Sequence, residues 1–334
     1  MFRWIGFAVS VIFISLLAFI AYKVYKRFTP IPVAMVPSLT LVADKTVKLP
    51  VFSHVFIIMF ENKTQAEVAG SDQAPYLNQL ARQYASADNF YATRKPSLPN
   101  YLALTGGDTF NVTSNCADCF TASDSIVTQL EAAGHSWKAY MEAMPKPCFV
   151  GDAPPLYRQK HNPFIYYDNI RNNPARCNKI VPFTEFANDL KANTLPDYVW
   201  ITPNMCNDTH DCPISTGDAW LQKWVPQILA SPAWQKSGVL FITYDEGDGK
   251  TGCCIHAVGG QIVTLVISPL VQPGFVSHVP YNHYSLLRTI ETTWHLPLLG
   301  KASCDCSLPM TDFFTKPADR GGQLHRTDPP PTID

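Results

Sequence analysis

His54-Val-Phe-Ile-Ile-Met-Phe60-Glu61-Asn62 joins an apolar run directly to two polar side chains. An uninterrupted apolar run of this length predicts a strand that is buried on both faces of a parallel sheet. Three later runs have the same character: Tyr198–Thr202, Val239–Tyr244 and Gln261–Ile267. We therefore expect a sheet whose central strands are covered on both sides.

Segments with helical spacing lie between and after these runs, at 74–84, 124–133, 219–229 and 284–294. Asp124 is expected to cap the second segment, and Pro226 to kink the third. Strands that alternate with helices predict an α/β fold with a mostly parallel central sheet flanked by helices.

Acids, amides and a histidine follow three of the predicted strands. The first strand ends in Glu61-Asn62, the second continues through Asn204 to Asp211, and the third ends in Asp245-Glu246-Gly-Asp-Gly. Because sites in such sheets collect beyond the carboxyl ends of the strands, we expect these side chains to converge at one edge.

Four of these side chains carry only oxygen donors: Glu61, Asn62, Asp245 and Glu246. Oxygen donors suit hard divalent cations such as Mg²⁺, Mn²⁺ or Ca²⁺ better than Zn²⁺. Without a cation, the carboxylates would repel one another and one of them would have to be protonated. The alternative is ordinary turn chemistry, because Asp-Glu-Gly-Asp-Gly is also a good loop.

Ser97 stands in Pro96-Ser-Leu-Pro99-Asn100, just before a predicted helix. The two prolines restrict the backbone around it. Such a serine is commonly an N-cap. Beside a bound cation it becomes a candidate nucleophile instead, because the cation lowers the pKa of the hydroxyl.

The composition is that of a folded protein, with 46% hydrophobic and 16% charged residues among 334. The net charge of −1 gives no basic surface, so nucleic-acid binding is not expected. Residues 4–22 carry no charge and are long enough to cross a bilayer as a helix. We expect residues 1–27 to be a membrane anchor, with a cleaved signal peptide as the alternative, and the Pro-rich residues 28–50 to be a linker.

Ten cysteines, an even number with several close pairs, predict disulfides and an oxidising compartment. Proximity suggests a Cys206–Cys212 pair. The alternative, a zinc site at Cys116 and Cys119, lacks a second CxxC pair. The cysteines place the predicted catalytic domain outside the cytosol, tethered to the membrane or secreted if the N-terminal segment is cleaved.

Several blocks taken together resemble the bacterial and fungal phosphoesterase family, which contains acid phosphatases and phospholipase C-type enzymes. The blocks are His54…Glu61-Asn62, Pro96-Ser97-Leu-Pro99-Asn100-Tyr101, Lys160-His161-Asn-Pro163, Pro203-Asn204…Asp208-Thr-His210-Asp211, Thr243-Tyr-Asp245-Glu246-Gly247 and Tyr281-Asn282-His283-Tyr-Ser-Leu-Leu-Arg288. The resemblance covers roughly residues 54–300. It implies a catalytic domain at 51–315, followed by a tail at 316–334.

The resemblance implies an alkaline phosphatase-like fold and a covalent phosphoserine mechanism. By this likeness Glu61, Asn62, Asp245 and Glu246 are metal ligands, and Ser97 is the nucleophile and a further ligand. We expect His210 to protonate the leaving oxygen or to bind the phosphoryl group. The expected substrate-binding residues are Asn100, Lys160, His161, Asp208 and His283. The alternatives are structural roles: Asp208 caps a loop, Lys160 is a solvated surface charge, and His283 forms a local hydrogen bond at the start of a helix.

The expected function is hydrolysis of phosphate esters, most nearly that of an acid phosphatase. The alternatives are a phosphodiesterase or phospholipase C-type enzyme and a non-catalytic ectodomain on the same scaffold. A sulfatase is disfavoured, because Ser97-Leu-Pro-Asn-Tyr101 lacks the arginine of the common sulfatase motif.

Overall fold

The computed structural model describes residues 34–35 and 49–314. The predicted anchor at 1–27, most of the linker at 28–50 and the tail at 316–334 lie outside the described residues. Within the described part, none of the helices has the length and apolar character needed to span a membrane.

A nine-stranded sheet forms the centre of the protein, and a separate two-stranded pair joins β1 to β8. The strands are β1 Ala34–Met35, β2 Val55–Phe60, β3 Ala85–Tyr91, β4 Trp137–Met141, β5 Ile180–Pro182, β6 Tyr198–Thr202, β7 Val239–Tyr244, β8 Thr251–Gly252, β9 Gln261–Ile267, β10 Phe275–Ser277 and β11 Tyr281–Asn282. The order across the sheet is β10-β3-β9-β7-β2-β6-β4-β5, and β11 also pairs with β3.

Strand β2 lies inside the sheet, parallel to β6 on one side and to β7 on the other. Every residue of β2 is buried, as its apolar run predicts. Strand β9 was expected to be parallel but runs antiparallel to both of its neighbours, β3 and β7. The remaining pairs of the nine-stranded sheet are parallel, so the fold is a mixed, mostly parallel α/β sheet.

Helices connect and cover the strands. They are α1 Gln65–Val68, α2 Pro75–Gln83, α3 Ser97–Gly106, α4 Ile126–Ala132, α5 Asp168–Arg171, α6 Pro174–Cys177, α7 Thr184–Ala192, α8 Ile214–Ala230, α9 Pro232–Ser237 and α10 His283–Thr293. Short 3₁₀ helices occupy Gln159–His161, Pro163–Tyr166, Gly300–Ser303 and Thr311–Phe314.

The four predicted helical segments correspond to α2, α4, α8 and α10. The expected cap at Asp124 is wrong, because Ser125 occupies the N-cap position of α4. Asp124 instead accepts a hydrogen bond from the Asn169 side chain at 3.1 Å. Helix α8 continues through Pro226 to Ala230.

Eight of the ten cysteines are paired as disulfides: Cys116–Cys119, Cys148–Cys177, Cys206–Cys212 and Cys304–Cys306. The expected Cys206–Cys212 pair is among them. Cys253 and Cys254 are left as adjacent thiols. The side chain of His256 lies within 4.8 Å of both Cys304 and Cys306. Because those two sulfurs are bonded to each other, neither is a thiolate that could bind a metal there.

Candidate active site

The polar ends of β2 and β7 emerge side by side because the register pairs Phe60 with Tyr244, the last residue of each strand. Glu61 and Asp245 are therefore at equivalent positions. The backbone N–H of Asn62 donates to Asp245 Oδ1 at 3.0 Å. The loop after β6 joins this edge, since Glu61 N–H donates to the Asp208 carbonyl at 2.9 Å. The expected convergence of the three strand ends is confirmed.

Ser97 is brought to the same edge by helix α3, of which it is the first residue. Pro96 occupies the N-cap position, and no side chain caps this helix. The Ser97 side chain is 1% exposed, and its hydroxyl donates to Glu61 Oε2 at 3.2 Å. Lys160 Nζ lies 3.4 Å from the same hydroxyl oxygen. The Ser97 side chain therefore points at the carboxylate cluster, and Ser97 is not the N-cap of the helix.

Glu61 is held by two aromatic neighbours as well as by Ser97. The Tyr101 hydroxyl donates to Glu61 Oε1 at 2.5 Å, and His161 Nε2 lies 3.0 Å from the same oxygen. The rings of Tyr101 and His161 stack with their centroids 5.5 Å apart. This role of Tyr101 was not predicted from the sequence. The available signal was its spacing of four residues from Ser97, which places both side chains on one helix face.

Burial changes the acid–base properties of the carboxyl groups at this edge. It raises the pKa of Glu61 to about 7, that of Asp208 to about 7 and that of Glu246 to about 8. The pKa of Asp245 lies well above its usual range because of burial and the neighbouring charge of Glu61. A group of buried acids without compensating charge is costly in a folded protein.

Among the described residues, three carboxylate oxygens at this edge are buried without a hydrogen bond: one on Asp208 and two in the residues that follow β7. Neither Asp245 Oδ2 nor Glu246 Oε2 forms a hydrogen bond with any residue that the structure describes. Among the residues that the structure describes, the cation nearest to Glu246 is Lys95, whose Nζ lies 3.9 Å from Oε1. Unsatisfied oxygens of this kind, beside the amide-bearing Asn62, are the donors that a hard divalent cation prefers.

A histidine lies on the other side of Lys160. His210 Nε2 is 3.3 Å from Lys160 Nζ, and His210 Nδ1 is 2.6 Å from Asp211 Oδ1. The Asp211 carboxylate accepts the proton on Nδ1, which leaves Nε2 facing Lys160. Burial lowers the pKa of His210, with partial compensation from Asp211. Lys160 therefore lies between the serine and the histidine.

Two of the expected substrate-binding residues are engaged in bracing loops. The Asn100 amide donates to the carbonyls of Arg94 and Pro96 and accepts from Arg94 N–H, at 2.8 to 3.1 Å. His283 is fully buried, with Nε2 3.0 Å from the Tyr244 carbonyl and Nδ1 3.4 Å from the Thr93 hydroxyl. Burial lowers the pKa of His283 to about 4. Both residues shape the site without presenting a free polar group to it.

The other expected substrate-binding residues line the base of the site. His161 bridges two acids, since its Nδ1 lies 3.5 Å from Asp208 Oδ2 and its Nε2 faces Glu61. Asp208 Oδ1 accepts the backbone N–H of His210 at 2.8 Å. Asp208 and His161 thus position Glu61 and His210, whereas Lys160 is the cation nearest the serine hydroxyl among the described residues.

Comparison with known proteins identifies the family of this chain. The model of the phosphoesterase family matches residues 70–297. The chain belongs to the phosphoesterase family. The matched range includes the serine helix and strand β7, which Asp245 follows, but it begins after Glu61 and Asn62.

Two of the named relatives of this family member are phosphatases. A phosphatidylinositol-3-phosphatase from Mycobacterium tuberculosis is 33% identical over 285 residues, covering 84% of this chain and 88% of the relative. A phosphate-repressible acid phosphatase from Penicillium chrysogenum is 30% identical over 262 residues, covering 76% of this chain. The aligned region spans only 62% of the length of that fungal enzyme.

Solved structures show the fold independently. A protein in the alkaline phosphatase superfamily from Vibrio parahaemolyticus aligns with a TM-score of 0.53 and 13% identity, over 79% of this chain and 70% of that one. At this identity the likeness concerns the fold alone. The fold is therefore alkaline phosphatase-like, as the resemblance implies.

Proposed function

We propose that the protein is a metal-dependent phosphatase of the acid phosphatase type, which acts through a phosphoserine intermediate on Ser97. The observation that carries the proposal is the position of the Ser97 hydroxyl, 3.2 Å from Glu61 and 3.4 Å from Lys160. The names of the relatives support phosphate-ester hydrolysis. The metal and the covalent intermediate rest on the chemistry of the site.

The residues that would hold a divalent cation are Glu61, Asn62, Asp245 and Glu246, with the Ser97 oxygen as a further ligand. The unpaired buried oxygens of Asp245 and Glu246 fit this role. The all-oxygen donor set favours Mg²⁺, Mn²⁺ or Ca²⁺ over Zn²⁺. When bound, such a cation lowers the pKa of the serine hydroxyl and neutralises charge on the phosphoryl group.

The proposed reaction has two displacements. The Ser97 hydroxyl loses its proton to solvent and its oxygen attacks phosphorus, while the bond from phosphorus to the leaving oxygen breaks. The Lys160 ammonium donates to a phosphoryl oxygen, which stabilises the charge that develops in the transition state. His210 delivers a proton to the leaving oxygen. Water then cleaves the phosphoserine, releasing inorganic phosphate and restoring the hydroxyl.

We also propose that the catalytic domain works outside the cytosol, anchored through the N-terminal segment or released from it. The four cysteine pairs support an oxidising compartment. Cell fractionation followed by labelling of free thiols tests this. Paired cysteines in envelope or secreted material support the proposal, whereas a fully reduced cytosolic protein contradicts it.

The function is tested with p-nitrophenyl phosphate and its bis-substituted diester. We expect faster hydrolysis of the monoester, loss of turnover in EDTA and recovery with Mg²⁺, Mn²⁺ or Ca²⁺. The Ser97→Ala variant should fold, as judged by circular dichroism, but not turn over. Faster hydrolysis of the diester would indicate a phosphodiesterase or phospholipase C-type enzyme. A folded wild-type protein that hydrolyses neither ester would indicate a non-catalytic domain.

A further inference from the structure

A cavity of about 760 Å³ lies beside the loop that precedes the candidate nucleophile. Its lining comes from three separate parts of the chain: residues 94–95, residues 108–113 and Lys301. The first part leads directly into helix α3. The roles assigned to Ser97, Lys160 and His210 leave this cavity unused.

The cavity is lined by an excess of positive charge. Arg94, Lys95 and Lys301 contribute three cations, against the single carboxylate of Asp108. Lys301 Nζ is paired with Asp108 Oδ1 at 2.8 Å. The guanidinium of Arg94 forms no hydrogen bond or ion pair with the residues that the structure describes, and Arg94 is exposed. At least one strong anion-binding group in the cavity is therefore free.

Arg94 is fixed relative to the nucleophile by its backbone. The buried Asn100 amide accepts from Arg94 N–H at 2.8 Å and donates to the Arg94 carbonyl at 2.9 Å. Asn100 belongs to the helix that begins at Ser97, so the loop and the serine form one unit. Three residues span at most about 11 Å between the Cα atoms of Arg94 and Ser97.

Lys95 connects the cavity to the carboxylate side of the site. Its Nζ donates to the Gly247 carbonyl at 2.8 Å and lies 3.9 Å from Glu246 Oε1. The cavity therefore borders the residues proposed to hold the cation. Its other wall offers neutral hydrogen-bonding side chains, namely Thr109, Asn111 and Thr113. Hydroxyl and amide groups of this kind suit a hydroxylated substrate body.

The geometry points to this cavity as a subsite for a second anionic group of the substrate, bound by Arg94. The preferred substrates are then phosphomonoesters of a polyol that carry another phosphate group within reach of Arg94. A guanidinium suits this role because it binds phosphate through two parallel hydrogen bonds. The inference rests on the proposed function, because it assumes that the first phosphate reacts at Ser97.

The test compares fructose 1,6-bisphosphate with fructose 6-phosphate as substrates. We expect kcat/KM to be at least about tenfold higher for the bisphosphate, since a hydrogen bond to a charged group contributes roughly that factor. Arg94→Gln should lower the ratio of the two kcat/KM values about tenfold, and Arg94→Lys should restore part of it. Arg82→Gln is the matched control. It removes an exposed arginine at the end of α2, before β3 begins, and should leave the ratio unchanged.

Binding to the Ser97→Ala variant, measured by calorimetry with Mg²⁺ present, separates this inference from the proposed function. We expect the bisphosphate to bind about tenfold more tightly than the monophosphate, and the added Arg94→Gln change to remove the difference. Equal binding of the two sugars, or a preference that survives Arg94→Gln, would overturn the subsite. If wild type hydrolyses neither the two sugars nor p-nitrophenyl phosphate but the Arg94-dependent binding preference is present, the subsite stands and the proposed function fails.

Discussion

Replacing Tyr101 with phenylalanine tests how much the activity depends on the hydrogen bond from Tyr101 to Glu61. The Tyr101 hydroxyl donates to Glu61 Oε1 at 2.5 Å, and both side chains are fully buried. The phenylalanine ring preserves the stacking on His161, so the change removes only the hydroxyl. A hydrogen bond to a charged group contributes about 1.5 to 3 kcal/mol. Losing it should lower kcat/KM by about 10- to 100-fold if Glu61 acts in the transition state.

Loss of the Tyr101–Glu61 hydrogen bond should also lower the free energy of unfolding. For a domain of this size, about 1.5 to 3 kcal/mol corresponds to a fall in Tm of about 3 to 12 °C. The assays are steady-state hydrolysis of p-nitrophenyl phosphate and thermal unfolding followed by circular dichroism.

Tyr167→Phe is the matched control for this change. Tyr167 is also buried, and its hydroxyl meets the neutral Thr105 hydroxyl at 2.9 Å. We expect this control to lose about 1 kcal/mol of stability and to keep wild-type kcat/KM. If Tyr101→Phe also keeps kcat/KM within about twofold of wild type, the proposed dependence of Glu61 on Tyr101 is refuted.

Three further changes probe other parts of the structure. Lys160→Gln should lower kcat about 100-fold with little effect on Tm, because it removes the ammonium group 3.4 Å from the Ser97 hydroxyl oxygen. An effect on KM alone would contradict the proposal that Lys160 stabilises the transition state. In wild type, kcat/KM should fall as pH rises through a value below the usual range of a histidine, since burial lowers the pKa of the proton donor His210 in the free enzyme. A profile of kcat/KM against pH for His210→Asn should lack this limb, and an unchanged limb would remove His210 as the donor. Burial raises the pKa of Glu291 from its usual value of 4.5 to about 8, so wild type loses stability as pH rises from about 4.5 to about 8. Glu291→Gln should therefore raise Tm more at about pH 9 than at about pH 4.5, and an equal change in Tm at the two pH values would contradict the assignment.

The strands that carry the site were predictable because each is marked by a continuous apolar run in the local sequence. An apolar run such as Val55–Phe60 is recognisable without knowledge of the strands beside it. Because sites in such sheets lie beyond the carboxyl ends of the strands, Glu61 and Asp245 are then predicted to lie close together. The antiparallel direction of β9 was not predictable in this way. Its sequence is as apolar as that of β7, and direction depends on how the chain returns to the sheet.

The nearby polar residues were harder to assign, because their partners are distant in sequence. His283 and Thr93 are separated by 190 positions, and their contact exists only in the folded chain. Asn100 was expected to bind substrate, yet the fold uses its amide to brace Arg94. Local spacing would have indicated Tyr101, but its acceptor Glu61 lies 40 residues away.

The central claim is that the Ser97 oxygen forms a bond to phosphorus during turnover. It is tested most directly by acid quench within the first turnover of p-nitrophenyl phosphate, followed by proteolysis and mass spectrometry of the peptides. We expect a phosphorylated peptide whose fragmentation places the phosphate on Ser97, and no such peptide when Ser97 is alanine. Phosphate on another residue, or an unmodified enzyme during demonstrated turnover with rapid product release excluded, would contradict it.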